Sequence, residues 1–208
     1  MNIFFDLDGT LIDISEKYFQ VYKNFMEQKA MSPLSKKQFW QMVRREEKKE
    51  NVLKKRDLIG GYKKFFLQHI ESEEYIRHDR LFEYVLPVLQ GLRQQGRELM
   101  LVTLRRNRHQ AIKEIQKLKI NKYFKKVFIC YPSKIVGENY RVKARAIQAI
   151  ASKKDVIVGD SRADIMAGKE LGLQTIGVTS GIRNYNMIRK QKPNHIARDI
   201  RAIKKLHT

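Results

Sequence analysis

The chain has 208 residues, 42% hydrophobic and 31% charged, with 43 Lys and Arg against 22 Asp and Glu and a net charge of +21. This balance excludes a disordered or low-complexity chain and suffices for one domain or a domain with an insertion. A single cysteine, Cys130, excludes an internal disulfide framework, and no apolar run approaches the ~20 residues of a membrane span.

The first element is a strand at Ile3-Phe4-Phe5, three apolar residues that run directly into Asp6-Leu7-Asp8-Gly9-Thr10. Burying one unpaired carboxylate costs several kcal/mol, and two close together raise each other's pKa. A strand that ends this way implies either a compensating cation or chemistry done by the acids. Asp and Gly also favour turns, so these residues alone leave a plain turn open. An acid at the sixth position departs from the basic-then-apolar layout of a secretory leader, and the chain is read as cytoplasmic.

From Ser15 to about Tyr84 the texture is helical. Phe19, Tyr22, Phe25 and Met26 recur at three- and four-residue spacing, as do Phe39, Met42 and Val43. These stripes, with Trp40, predict the core of a small helical bundle, punctuated near Pro33 and at Gly60-Gly61. After Pro87 and Gly91 the pattern changes to short β-rich runs alternating with helices. The runs are residues 98–103, 126–130, 155–159 and 174–179. With the first strand they make five strands separated by helices, the signature of an α/β fold. The expectation is a three-layer Rossmann-like parallel sheet formed by residues 1–14 and 86–208, with residues 15–85 inserted as an all-helical domain.

In such sheets ligands bind at the carboxyl ends of the strands. Those ends deliver Asp6 and Asp8, then Thr103, then Asp160 with Asp164 about one helical turn on. Lys143 is placed at the head of the helix before the fourth strand, and Lys134 is its alternative. Asp6 and Asp160 make a hard oxygen site suited to Mg²⁺. Thr103 and Lys143 supply donors for the oxygens of a phosphoryl group. With charge so balanced, a carboxylate can serve as nucleophile. Six such residues at one rim disfavour the plain turn.

The segments "DLDGT", "LVT", Lys143 and "VGDSRAD" resemble the four motifs of the haloacid dehalogenase superfamily, and the tail from Thr175 is similar to phosphoglycolate-phosphatase-like members. The resemblance implies that Asp6 is the nucleophile and a metal ligand, and that Asp8 is the general acid and base and a further metal ligand. It further implies that Thr103 and Lys143 hold the phosphoryl group and that Asp160 and Asp164 complete the Mg²⁺ site. The inserted helices match the cap of that subgroup in position and texture. An acid at Asp8 favours phosphate-ester hydrolysis over dehalogenation, because it can protonate a leaving oxygen and then activate water. A phosphomutase uses the same acid.

Arg105, Arg106 and Arg108 follow Thr103 directly, and Arg105 is expected to meet substrate. Residues 15–85 carry 16 basic and 11 acidic side chains, the remainder 27 against 11, so the excess lies outside the helical insertion. The expected partner is a phosphorylated small molecule, with no membrane. Nucleotides or nucleic-acid ends are an alternative substrate class, since a basic body attracts polyanions. A catalytically idle body that binds nucleic acid or protein is the rival from outside enzymology.

Overall fold

The computed structural model describes residues 1–47, 49–53 and 57–205. In chain order it comprises β1 (Asn2–Phe5), β2 (Ile12–Asp13), α1 (Ser15–Gln28), α2 (Lys36–Arg44), α3 (Lys49–Leu53), α4 (Leu58–His69) and α5 (Glu73–Ile76). Then follow β3 (Arg80–Leu81), α6 (Val85–Gln94), β4 (Glu98–Leu104), α7 (Arg108–Lys117), β5 (Lys126–Cys130) and α8 (Asn139–Ile147). The chain closes with β6 (Val156–Gly159), α9 (Arg162–Glu170), β7 (Gln174–Val178), α10 (Tyr185–Lys190) and β8 (His195–Ala197). It divides into two compact units, residues 1–13 with residues 80 onward, and residues 14–79. Among the described residues no helix is long and apolar enough to cross a membrane.

The first unit is built on a six-stranded sheet of order β5-β4-β1-β6-β7-β8, in which every pairing is parallel. Strand β1 is central because its apolar run buries on both faces, as parallel sheets covered by helices require. Phe4, Met100, Val102 and Ile157 form one face and pack with Ala144 and Ile147 of α8 and Ala167 of α9. Helices α6 and α7 lie against β4 and β5, and right-handed crossovers place them on the opposite face. The start of β1 is tied down by Asp155, which accepts from the Asn2 main chain at 2.7 Å and from its amide at 3.0 Å. Cys130 is buried, and that burial pushes its thiol pKa up.

Five of the six strands fall on the runs read from sequence. The sixth, β8, is a three-residue edge strand whose exposed His195 and half-buried neighbours give no apolar run. Pro87 and Gly91 lie inside α6, ahead of the first of the later strands. Pro87 is in the first turn, where a helix has no internal acceptor for its missing N–H. The chain leaves this unit after Asp13 and returns at Arg80, and β2 and β3 pair antiparallel there through Ile12–Leu81 and Asp13–Arg80.

The second unit is helical. Tyr22, Phe25, Met26, Phe39, Val52, Leu53 and Tyr62 form its core, with Tyr22 and Phe39 stacked at 4.4 Å between ring centroids. Trp40 is half-buried and meets Tyr18 edge-on at 5.9 Å. Ser35 caps α2 by accepting from the Gln38 main chain, and the Gln38 side chain accepts from the Ser35 N–H. Gly60 and Gly61 are not a break: both lie inside α4. A Cβ on Gly61 would stand 3.7 Å from the Phe25 ring, so a small residue belongs where α4 nears α1.

Candidate active site

The register of the sheet sets the site. Phe5 of β1 pairs with Leu101 of β4 and with Val158 of β6. Asp6 is the next residue, and its main-chain N–H donates to the Val158 carbonyl at 2.9 Å. Gly9 then turns the chain at φ +77°, with its N–H donating to Ile12 at 2.8 Å. Thr103 lies two residues beyond the partner of Phe5, level with this turn. Asp160 follows β6 directly, and Asp164 lies in the first turn of α9.

Asp6, Asp160 and Asp164 are buried, and each offers one oxygen within 4.8 Å of the other two. One ammonium faces them. Lys143 Nζ donates to Asp6 Oδ1 at 2.6 Å and to Asp164 Oδ1 at 2.5 Å. Asp164 Oδ2 also accepts from the Ser161 hydroxyl at 2.6 Å and the Ser161 main chain at 3.1 Å. Asp160 Oδ2 accepts from the Ile182 N–H at 2.5 Å. The loop after β7 is drawn in close there: a Cβ on Gly181 would fall 2.0 Å from Asp160 Oδ2 and 2.6 Å from the Cα of Gly9.

The electrostatics express a shortage of positive charge. Burial, with Asp164 and Asp8 nearby, pushes Asp6 from 3.8 up to about 7 against the opposing pull of Lys143. Burial, reinforced by Asp6 and Asp164, raises Asp160 well above the carboxylate range. Burial alone would lower Lys143, but Asp164 and Asp6 carry it above its ordinary value. Three carboxylates on one ammonium are short of two positive charges, and the donors are hard oxygens. That set fits a single Mg²⁺. The buried Thr103 hydroxyl has no hydrogen-bond partner among the described residues, as a donor awaiting a ligand oxygen would show.

Several placements differ from the sequence expectation. Lys143 is in the middle of α8, not at its head, and its side chain reaches back to the strand ends. Lys134 is exposed in the loop before α8. Asp8 stands apart from the three-carboxylate group: both its oxygens are taken by Arg105 at 2.7 Å. Arg105 accordingly turns inward and is buried, whereas a substrate contact had been expected; the neighbouring carboxylates Asp8 and Glu114 outcompete solvent for its guanidinium. Sequence reasoning missed Glu114, Ser161, Gly181 and Ile182. Only Ser161 carried a local signal, a Ser three residues ahead of an acid at a helix start.

Residues 3–178 match the family model described as haloacid dehalogenase-like hydrolase. The chain is 24% identical over 207 residues to the pyrophosphatase PpaX of Halalkalibacterium halodurans, covering 95% of this chain and 92% of the relative. It is 25% identical over 214 residues to the phosphoglycolate phosphatase of Pseudomonas fluorescens, covering 97% and 77%. A solved haloacid dehalogenase-like hydrolase from Streptococcus pneumoniae shares the fold at a TM-score of 0.74 and 22% identity, over 98% of this chain and 96% of that one.

Proposed function

The chain belongs to the haloacid dehalogenase-like hydrolases, and on that premise we propose that it is a Mg²⁺-dependent phosphatase acting on a phosphate monoester through Asp6. One observation carries the reading: three buried carboxylates converge within 4.8 Å of one another, and a single buried ammonium pairs with two of them, Asp6 and Asp164. In this reading Asp6, Asp160 and Asp164 hold the Mg²⁺, which when bound neutralises charge on the phosphoryl oxygens. Lys143 and Thr103 donate to those oxygens and orient the phosphorus toward Asp6.

The Asp6 carboxylate forms a bond to phosphorus as the bond from phosphorus to the leaving oxygen breaks. Asp8 gives its proton to that oxygen. A water then attacks the aspartyl-phosphate, Asp8 takes a proton from it, and phosphate and free Asp6 result. Substrate choice is assigned to the helical unit, residues 14–79, acting as a cap. The names of the two relatives, a pyrophosphatase and a phosphoglycolate phosphatase, put a small phosphate compound first among substrates.

Phosphate release tests this across 2-phosphoglycolate, pyrophosphate, nucleoside monophosphates, a 5′-phosphorylated oligonucleotide and an aryl phosphate. Release that requires Mg²⁺, stops with EDTA and is lost in Asp6→Asn is expected. Turnover that survives both EDTA and Asp6→Asn would overturn the reading.

A further inference from the structure

A second set of buried charges runs from α7 to the edge of the site. Arg105 follows β4, and its main-chain N–H donates to the Cys130 carbonyl at 2.9 Å, which fixes its backbone to the sheet. Its Nε and Nη2 reach Asp8 Oδ2 and Oδ1, each at 2.7 Å, and Nη2 lies 3.0 Å from Glu114 Oε2. The Arg105 and Glu114 side chains are each 3% exposed, whereas that of Asp8 is 25% exposed. Neither Glu114 oxygen has a hydrogen-bond partner among the described residues, so its contact with Arg105 is an ion pair without hydrogen-bond geometry. An apolar residue at 114 would avoid that desolvation, so the pair is poorly explained by stability. A guanidinium that grips both oxygens of one carboxylate is, however, an effective way to hold it in one orientation.

We propose that Arg105, braced by Glu114, is the positioning residue for Asp8. The inference rests on the phosphatase reading, in which Asp8 is general acid and then base. Both Asp8 oxygens are on the guanidinium in the structure. For the acid step one of them leaves it, takes up a proton from solvent and delivers that proton to the departing oxygen as the ester bond breaks, while the other stays on the guanidinium. The same oxygen later takes a proton from the attacking water. Arg105 exchanges none.

The test is kcat/KM for an alkyl phosphate and for p-nitrophenyl phosphate in Arg105→Met, Arg105→Lys and Glu114→Gln. This parameter ends with the first phosphorus–oxygen cleavage, so the later water attack does not enter. An alkoxide needs a proton as it leaves and p-nitrophenolate does not. General acid help is worth ~10²–10⁴ in rate, so Arg105→Met is expected to lose about 10–100-fold on the alkyl ester and less than about threefold on the aryl ester. Glu114→Gln should fall short of that in the same direction, and Arg105→Lys should recover part of it. In an Asp8→Asn background Arg105→Met should cost nothing more on either ester. Equal losses on both esters, or losses additive with Asp8→Asn, overturn the proposal. Should Arg105→Met fail to fold, Arg105→Lys and Glu114→Gln carry the same comparison. A wild type inert toward every phosphate ester removes the phosphatase reading and this inference together, whereas an active wild type with variants blind to the leaving group removes the inference alone.

Discussion

Asp6→Asn should abolish turnover and yet stabilise the metal-free protein near neutral pH. A carboxyl raised from 3.8 to about 7 has its ionised form disfavoured by about 4 kcal/mol at ~1.4 kcal/mol per pH unit. The folded state then binds this proton more tightly than the unfolded state, so stability falls as pH rises from about 4 to about 7 and stays low above. Lys143 does not confuse that window, because its raised pKa contributes stability fully present below its ordinary value of 10.5. Asparagine removes Asp6's share of the slope, Asp160 keeping its own, and the pull of Lys143 is already contained in the net rise of Asp6. The net expectation in EDTA at about pH 7.5 is a gain of up to about 4 kcal/mol, at about 2–4 °C in Tm per kcal/mol for a chain of this size. At about pH 4.5 wild-type Asp6 is already protonated and the gain should vanish. Mg²⁺ should narrow the gap, since ligand at 100 times its Kd stabilises wild type by about 2.7 kcal/mol. Thermal unfolding followed by circular dichroism from about pH 4 to 8, with EDTA and with Mg²⁺, reads all of this. An Asp6→Asn protein less stable than wild type in EDTA at pH 7.5, or a difference that ignores pH, would refute the reasoning.

Lys143→Met strips the only ammonium found on the three carboxylates among the described residues, and urea unfolding in EDTA should show a loss of about 3–5 kcal/mol with phosphatase activity gone; a loss below about 1 kcal/mol would show that the pair carries little. Gly60 is exposed inside α4, and a Cβ there meets nothing within 4 Å, so Gly60→Ala should add about 0.5–1 kcal/mol without changing kcat. An unchanged or lower Tm would contradict the helical assignment at that position. If the basic excess outside residues 15–85 recruits nucleic acid, kcat/KM on a 5′-phosphorylated oligonucleotide should drop steeply with salt while that on a small monophosphate holds. A salt-independent oligonucleotide rate would sink the nucleic-acid alternative.

The sheet was legible because its strands are apolar runs that must bury on both faces, and the acids stand out where those runs stop. Asp6, Asp160 and Asp164 could be read this way, as could Thr103 after "ELMLV". The edge strand β8 could not, because a strand open on one side needs no continuous apolar run. Gly60-Gly61 looked like a break but sits in a helix, where packing of α4 near Phe25 overrides local propensity.

Arg105 shows where local reading ends. Its position directly after Leu104, the last residue of β4, was plain, but its long side chain can point to solvent or inward with equal backbone. Glu114, on the next helix, and Asp8, nearly a hundred residues earlier, turn it inward. Sequence by itself determined which residue types arrive at the strand ends and in what order, because periodicity and burial are local properties of the chain. Only the tertiary structure decided which oxygen meets which nitrogen, that Lys143 and not Lys134 closes the acid group, and that Asp8 answers to Arg105. Pairing between charges depends on distance and on exclusion of water, and neither is set by spacing along the chain.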